Sequence, residues 1–184
     1  PLDAPNTSAP ISSPKGFIKL VEGDDLILKW VPNIESDVAG YKIHYGSHTD
    51  YVYENTIDVG NVTTYTLTGG AALENINITA YDSNADGDGD QLEGYESWYI
   101  EVKDQPTLAF ETASSSVEEN ENASVQLKLN YASPEDVVVN LTYAGTAVSG
   151  TDYTAPETLT IPIGQTTADL TIEISDDTDI EIIE

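Results

Sequence analysis

The 184 residues carry 33 acidic side chains against six lysines and no arginine, a net charge of −27. Such a surface repels nucleic acid and anionic lipid, and it strains the compact state by self-repulsion unless cations gather on it. The hydrophobic share of 39% suffices for packed cores, yet no apolar run approaches the roughly 20 residues of a membrane-spanning helix, and without cysteine there is no thiol or disulfide chemistry.

Pro1-Leu2-Asp3 opens the chain without a basic start, an apolar stretch or a cleavage site, so it reads as a mature or internal piece of a larger protein. Residues 1–13, rich in proline, serine and asparagine, read as a linker. Short alternating segments with turn signals between them follow. They include Phe17-Ile18-Lys19-Leu20-Val21, Leu26-Ile27-Leu28-Lys29-Trp30-Val31, Tyr41-Lys42-Ile43-His44-Tyr45, Thr64-Tyr65-Thr66-Leu67, Ile76-Asn77-Ile78-Thr79-Ala80-Tyr81 and Ser97-Trp98-Tyr99-Ile100-Glu101-Val102. A period of two in β-branched and aromatic residues predicts antiparallel strands. Alternation places Tyr41, Ile43 and Tyr45 on one inward face and turns His44 towards solvent.

Lys103-Asp104-Gln105-Pro106 interrupts the pattern, and a second strand series follows. Its segments are Thr107-Leu108-Ala109-Phe110, Ala123–Leu129, Val137–Tyr143, Leu159–Ile163 and Ala168–Ile174. The fold class expected is all-β: two tandem antiparallel Greek-key β sandwiches of immunoglobulin-like type, one over 14–104 and one over 105–184. So short a joint predicts a semi-rigid connection.

Two family resemblances sharpen these expectations. Leu28-x-Trp30, Asp37-Val38-Ala39-Gly40-Tyr41-Lys42-Ile43-x-Tyr45, Thr64–Leu67 and Ile78-Thr79-Ala80-Tyr81-Asp82 together resemble a fibronectin type III domain. The tyrosine that the family usually carries before its penultimate strand is replaced by the stretch Leu73-Glu74-Asn75. Ser116-Val117-Glu118-Glu119-Asn120, Gly145–Tyr153 and Ser175-Asp176-Asp177 running to Glu181 and Glu184 resemble a Calx-β domain. The likeness covers about 80 residues and leaves out two further strands that members of that family carry.

The Calx-β resemblance implies a calcium site at one end of the sandwich, with ligands at Glu119, Asp152, Asp176, Asp177 and Glu181 and the backbone carbonyl of Asp179. The residues themselves point the same way. Calcium takes six to eight hard oxygen ligands, and carboxylates about 4 Å apart repel by roughly 1 kcal/mol even in water. The alternative is a solvated acidic loop on an acidic protein. A second candidate is Asp82-Ser83-Asn84-Ala85-Asp86-Gly87-Asp88-Gly89-Asp90-Gln91-Leu92-Glu93. It matches an EF-hand loop, with oxygen ligands at Asp82, Asn84, Asp86, Asp88, Asp90 and Glu93 and glycine at the sixth position. Gly89 at the eighth position and flanking strands depart from that pattern, and a Gly/Asp hairpin is the plain alternative.

No histidine is set with a plausible serine nucleophile and an orienting acid, no cysteine exists, and the acids fall in loops patterned for a cation, so a non-enzymatic role is expected. His44 and His48, four apart, would form a metal pair on a helix, but on a strand that leads into a turn they point differently. Tyr51, Tyr53, Tyr95, Trp98 and Tyr99 could form a sugar-stacking platform or pack at strand ends. Five Asn-x-Ser/Thr sequons occur, at Asn6, Asn61, Asn77, Asn122 and Asn140, as chance allows in so Asn- and Thr-rich a chain. The expected role is a calcium-rigidified structural or adhesive segment of a secreted or cell-surface protein, bacterial by its lack of disulfides. Its expected partners are the neighbouring domains of the same polypeptide and surface glycans or proteins, with no nucleic acid and no membrane insertion. The alternative is a pair of accessory modules of an extracellular hydrolase with weak carbohydrate binding.

Overall fold

The computed structural model describes residues 11–47, 53–82, 96–118 and 121–175. The fold is all-β, built from antiparallel sheets, and the chain divides into two compact units, Pro1–Gln105 and Pro106–Glu184.

The first unit contains β1 (Lys15–Glu22), β2 (Asp25–Val31), β3 (Val38–Gly46), β4 (Asn55–Gly60), β5 (Thr64–Leu67), β6 (Asn75–Asp82) and β7 (Ile100–Glu101). One sheet runs β1-β2-β5 and the other β4-β3-β6-β7, so consecutive strands switch sheets as a Greek key requires. Gly23, at φ +63°, supplies the left-handed turn between β1 and β2 that a side chain would resist. Trp30 is sealed between the sheets, edge-on to Phe17 at 6.0 Å and to Tyr41 at 5.3 Å. Leu26, Leu28, Ile43, Ile76, Ile78 and Ala80 complete the core, and Leu73 packs beside it. The Tyr41 hydroxyl accepts the Asn33 amide at 2.9 Å, which satisfies the one polar atom that this ring carries inward.

Packing begins earlier than the boundary at residue 14 that composition suggests. Ile11 is 5% exposed within the core, the Ser12 amide donates to Glu35 Oε1 at 2.8 Å, and Asn33 Nδ2 donates to the Ser12 carbonyl at 2.5 Å. One apolar side chain with somewhere to go outweighs the surrounding Pro/Ser composition.

The second unit contains β8 (Leu108–Phe110), β9 (Ala123–Leu129), β10 (Val137–Asn140), β11 (Tyr153–Thr154), β12 (Thr158–Ile161) and β13 (Thr167–Ile174). A four-stranded sheet in the order β11-β13-β9-β8 accompanies a two-stranded sheet of β10 and β12. Leu127, Leu129, Ile161 and Leu170 are buried between them. Val125, Val137, Val139, Leu141, Leu159 and Ile172 pack against that cluster but stay partly open.

Candidate functional site

The expected ligands Glu119, Asp176, Asp177, Asp179 and Glu181 lie outside the described residues, as do Asn84, Asp86, Asp88, Asp90 and Glu93. Asp152 and Asp82 lie within them. Among the described residues no three acidic, histidine or cysteine side chains gather into one group.

Asp152 sits in a tight turn leading into β11. Its Oδ2 accepts the Val148 amide at 2.5 Å, and its own amide donates to the Val148 carbonyl at 2.9 Å. Gly150, at φ +85°, makes the reversal possible and donates its amide to the Tyr153 carbonyl at 2.8 Å. Two residues of β11 then pair with the end of β13, Tyr153 opposite Ile174 and Thr154 opposite Glu173. The pairing continues one step further: the Ser175 amide donates to the Asp152 carbonyl at 2.9 Å. Asp176 follows Ser175 directly in the chain. Segments more than 20 residues apart in sequence thus meet where the acidic run begins. Among the described residues the other carboxylate oxygen of Asp152 makes no hydrogen bond, so a hard-oxygen ligand is available there, in keeping with what calcium takes.

In the first unit, Asp82 ends β6 opposite Val38 of β3 and is only 1% exposed. The chain returns at Glu96, which bridges to Tyr81, and the next residue tightens the closure. The Ser97 amide donates to the Ala80 carbonyl at 2.8 Å, and the Ala80 amide donates to Ser97 Oγ at 2.9 Å. The stems of the acidic segment are therefore pinned side by side.

Beside that closure lies a cluster that the sequence did not reveal. On the outer face of the β4-β3-β6-β7 sheet, Glu96 Oε2 receives the Lys42 ammonium at 2.7 Å, and Oε1 accepts the Thr79 hydroxyl at 2.6 Å. His44 Nε2 lies 2.9 Å from Thr79 Oγ1 and 3.4 Å from Glu96 Oε1, while Nδ1 lies 3.1 Å from Thr56 Oγ1. Burial pushes the Glu96 carboxyl pKa up, but hydrogen bonds from His44, Lys42 and Thr79, with the Lys42 charge, outweigh it and hold the group at about 2.

His44 does point to the outer face, as alternation requires, but it does not reach solvent: it is 5% exposed. The rings of Tyr99, edge-on at 4.9 Å, and Tyr53, at 5.7 Å, pack against it and meet each other at 5.2 Å, tilted by 49°. Both tyrosines come from segments outside regular strand pairing, so period-two reasoning on β3 could not foresee them. The faint signal in the sequence was Lys42, His44 and Thr79 falling together on the polar face of adjoining strands.

A hydroxyl, an imidazole and a carboxylate within 3.4 Å of one another invite comparison with a nucleophile and its base. Thr79, however, is 1% exposed and gives its proton to Glu96, and His44 Nδ1 faces a threonine hydroxyl instead of an orienting carboxylate. What this arrangement does is brace the sheet and hold Glu96 in place. Of the aromatic residues weighed as a sugar platform, Tyr53 and Tyr99 are committed to this packing, Trp98 stands 77% exposed, and Tyr51 and Tyr95 lie outside the described residues. Among the described sequons, Asn77 is buried whereas Asn61, Asn122 and Asn140 are exposed. No known protein family matches the chain, and no curated protein matches it.

Proposed function

We propose that this chain is a calcium-binding, non-catalytic structural or adhesive segment of a secreted or cell-surface protein, with calcium rigidifying its acidic loops. The observation that supports the reading is the Asp152–Ser175 backbone bond, which holds the glycine turn that bears Asp152 beside the residue preceding Asp176-Asp177 in the chain. The net charge of −27 supports it, because clustered carboxylates gain most from a divalent ion that relieves their repulsion. Asp152 and the residues following Ser175 would hold the ion, with Glu119, Asp176, Asp177, Asp179 and Glu181 as the Calx-β resemblance implies. The Asp82–Glu93 segment of the fibronectin-like module is the second candidate. Thermal unfolding of the chelated chain with and without calcium tests the reading: a rise in melting temperature that Asp152→Ala removes supports it, and no response to millimolar calcium opposes it.

The 77% exposure of Trp98 favours one alternative, an accessory module that holds a sugar ring against the indole. Glycan-array binding lost in Trp98→Ala would establish it.

A further inference from the structure

The end of β3 and the approach to β4 are clasped together by one carboxylate. Glu54 Oε1 accepts the Ser47 hydroxyl at 2.7 Å, and Oε2 accepts the Ser47 amide at 2.9 Å. Gly46 makes the clasp possible, because a Cβ there would collide with the Glu54 carboxylate. The turn from β5 to β6 is pinned as well. Within it the Gly70 amide donates to the Leu67 carbonyl at 3.1 Å and the Leu73 amide to the Gly70 carbonyl at 2.9 Å. The Ala71 amide donates to the Asp24 carbonyl at 3.1 Å and ties the turn to the residue before β2.

Between the clasp and the turn lies a pocket of about 480 Å³, a size that suits a small ligand. Its lining comes entirely from residues 45–47, 54–55 and 72–75. Tyr45 and Leu73, which also pack against the buried core, form its apolar side. Ser47, Glu54, Asn55, Glu74 and Asn75 form its polar side. Register explains the gathering: Asn55 lies opposite Tyr45 and Asn75 opposite Gly46, where β3 ends and β4 and β6 begin.

This lining selects among ligands. No basic side chain belongs to it, so an anion finds no counter-charge. Among the described residues its two carboxylates are joined by no third acidic or histidine side chain, short of what calcium gathers. An ammonium ion would use acceptors only and leave the Asn55 and Asn75 amide donors idle. Carboxamides beside an aromatic ring suit a neutral ring with hydroxyls on its rim and C–H groups on its face.

We infer that this pocket binds a pyranose unit of a neutral glycan, its C–H face against Tyr45 and its hydroxyls on Asn55, Asn75 and the two glutamates. Both walls are fixed before a ligand arrives, which lowers the cost of binding. The site uses none of the expected calcium ligands. It is also distinct from the exposed Trp98, which follows the Ser97–Ala80 closure at the far end of β6 from Asn75.

Heteronuclear NMR titration of the 184-residue chain in chelator tests this, with glucose, galactose, N-acetylglucosamine, cellobiose and lactose as probes. Saturable shifts at the Ser47, Asn55, Glu74 and Asn75 amides are expected, with a dissociation constant on the order of millimolar for at least one sugar. Glu74→Ala and Asn55→Ala change exposed positions outside the core and should each weaken that binding at least about fivefold. Trp98→Ala should leave it unchanged. Wild-type affinity in both rim variants, or no saturation by any probe at roughly 100 mM, would overturn the proposal. So would loss of binding in Trp98→Ala, since the sugar would then lie on the indole. Shifts at the same four amides with putrescine, and none with the sugars, would overturn it in favour of an ammonium site.

Discussion

The Ser175 amide and the Asp152 carbonyl meet at 2.9 Å, and that bond extends the β11–β13 pairing to the turn at Val148–Asp152 and to the residue that precedes Asp176-Asp177. The Asp152 side chain has a structural task of its own, accepting the Val148 amide. Two substitutions separate this task from metal binding. Asp152→Ala should cost roughly 1–3 kcal/mol without calcium, the worth of a hydrogen bond to a charged group. Asp152→Asn keeps an acceptor for Val148 and should be much milder without calcium. Both should lose the calcium response, which for an ion at a hundred times its dissociation constant is about 2.7 kcal/mol. Scanning calorimetry with and without calcium reads all four states.

Chelation should act unevenly. The first unit has a sealed aromatic core around Trp30, whereas the second buries four apolar side chains fully and leaves the rest partly open. Adding a chelator should therefore lower the melting of the second unit more than that of the first. Near-ultraviolet circular dichroism, dominated by Trp30 and Trp98 of the first unit, should change little at temperatures where the second unit's share of the far-ultraviolet signal is already lost.

Glu96 predicts a pH dependence with a definite sign. Its folded pKa of about 2 lies below the ordinary 4.5, so its stabilisation is fully present above pH 4.5 and disappears as pH falls towards 2. A depression of that size corresponds to about 3 kcal/mol. Glu96→Gln should be destabilised by that order at pH 7, since it leaves the Lys42 ammonium, itself largely covered, without its carboxylate. The gap between variant and wild type in urea unfolding should narrow steadily between pH 4.5 and 2. A gap that stays constant across this window would show that the loss comes from packing alone.

Gly40 faces the Tyr81 ring so closely that a Cβ there would lie 2.5 Å from the hydroxyl oxygen. The Tyr81 hydroxyl in turn shares its one proton between the two Asp58 carboxylate oxygens, each 3.0 Å away, and the ring centroid lies 5.4 Å from the Lys42 ammonium. Gly40→Ala should cost about 1–3 kcal/mol through overpacking, and much of that loss should vanish in a Tyr81→Ala background. A double-mutant cycle by denaturant unfolding checks the coupling.

Much of the fold was legible in the sequence because strand period, turn glycines and the Trp30–Tyr41 pairing are local signals that agree with one another. Ile11 was not, since a single apolar residue in a Pro/Ser stretch gives no period to read. His44 was half legible: alternation told which face it takes, and only the tertiary arrival of Tyr53 and Tyr99 determined that the face is covered. The Lys42–Glu96 pair spans 54 residues and joins a strand to a strand-end return, so no spacing rule anticipates it. Asp152 entered as a candidate through the Calx-β resemblance of Gly145–Tyr153, and the bond of its carbonyl to Ser175 is a tertiary contact that no local pattern gives.

Isothermal titration of the chelated chain with calcium addresses the central idea most directly, because it reads ion binding without relying on stability. Exothermic or endothermic saturation with at least one ion per chain, diminished in Asp152→Ala and in Asp177→Ala, is the expected result. A flat titration up to millimolar calcium would mean that these carboxylates are simply solvated, and the cation-braced segment proposed here would have no basis.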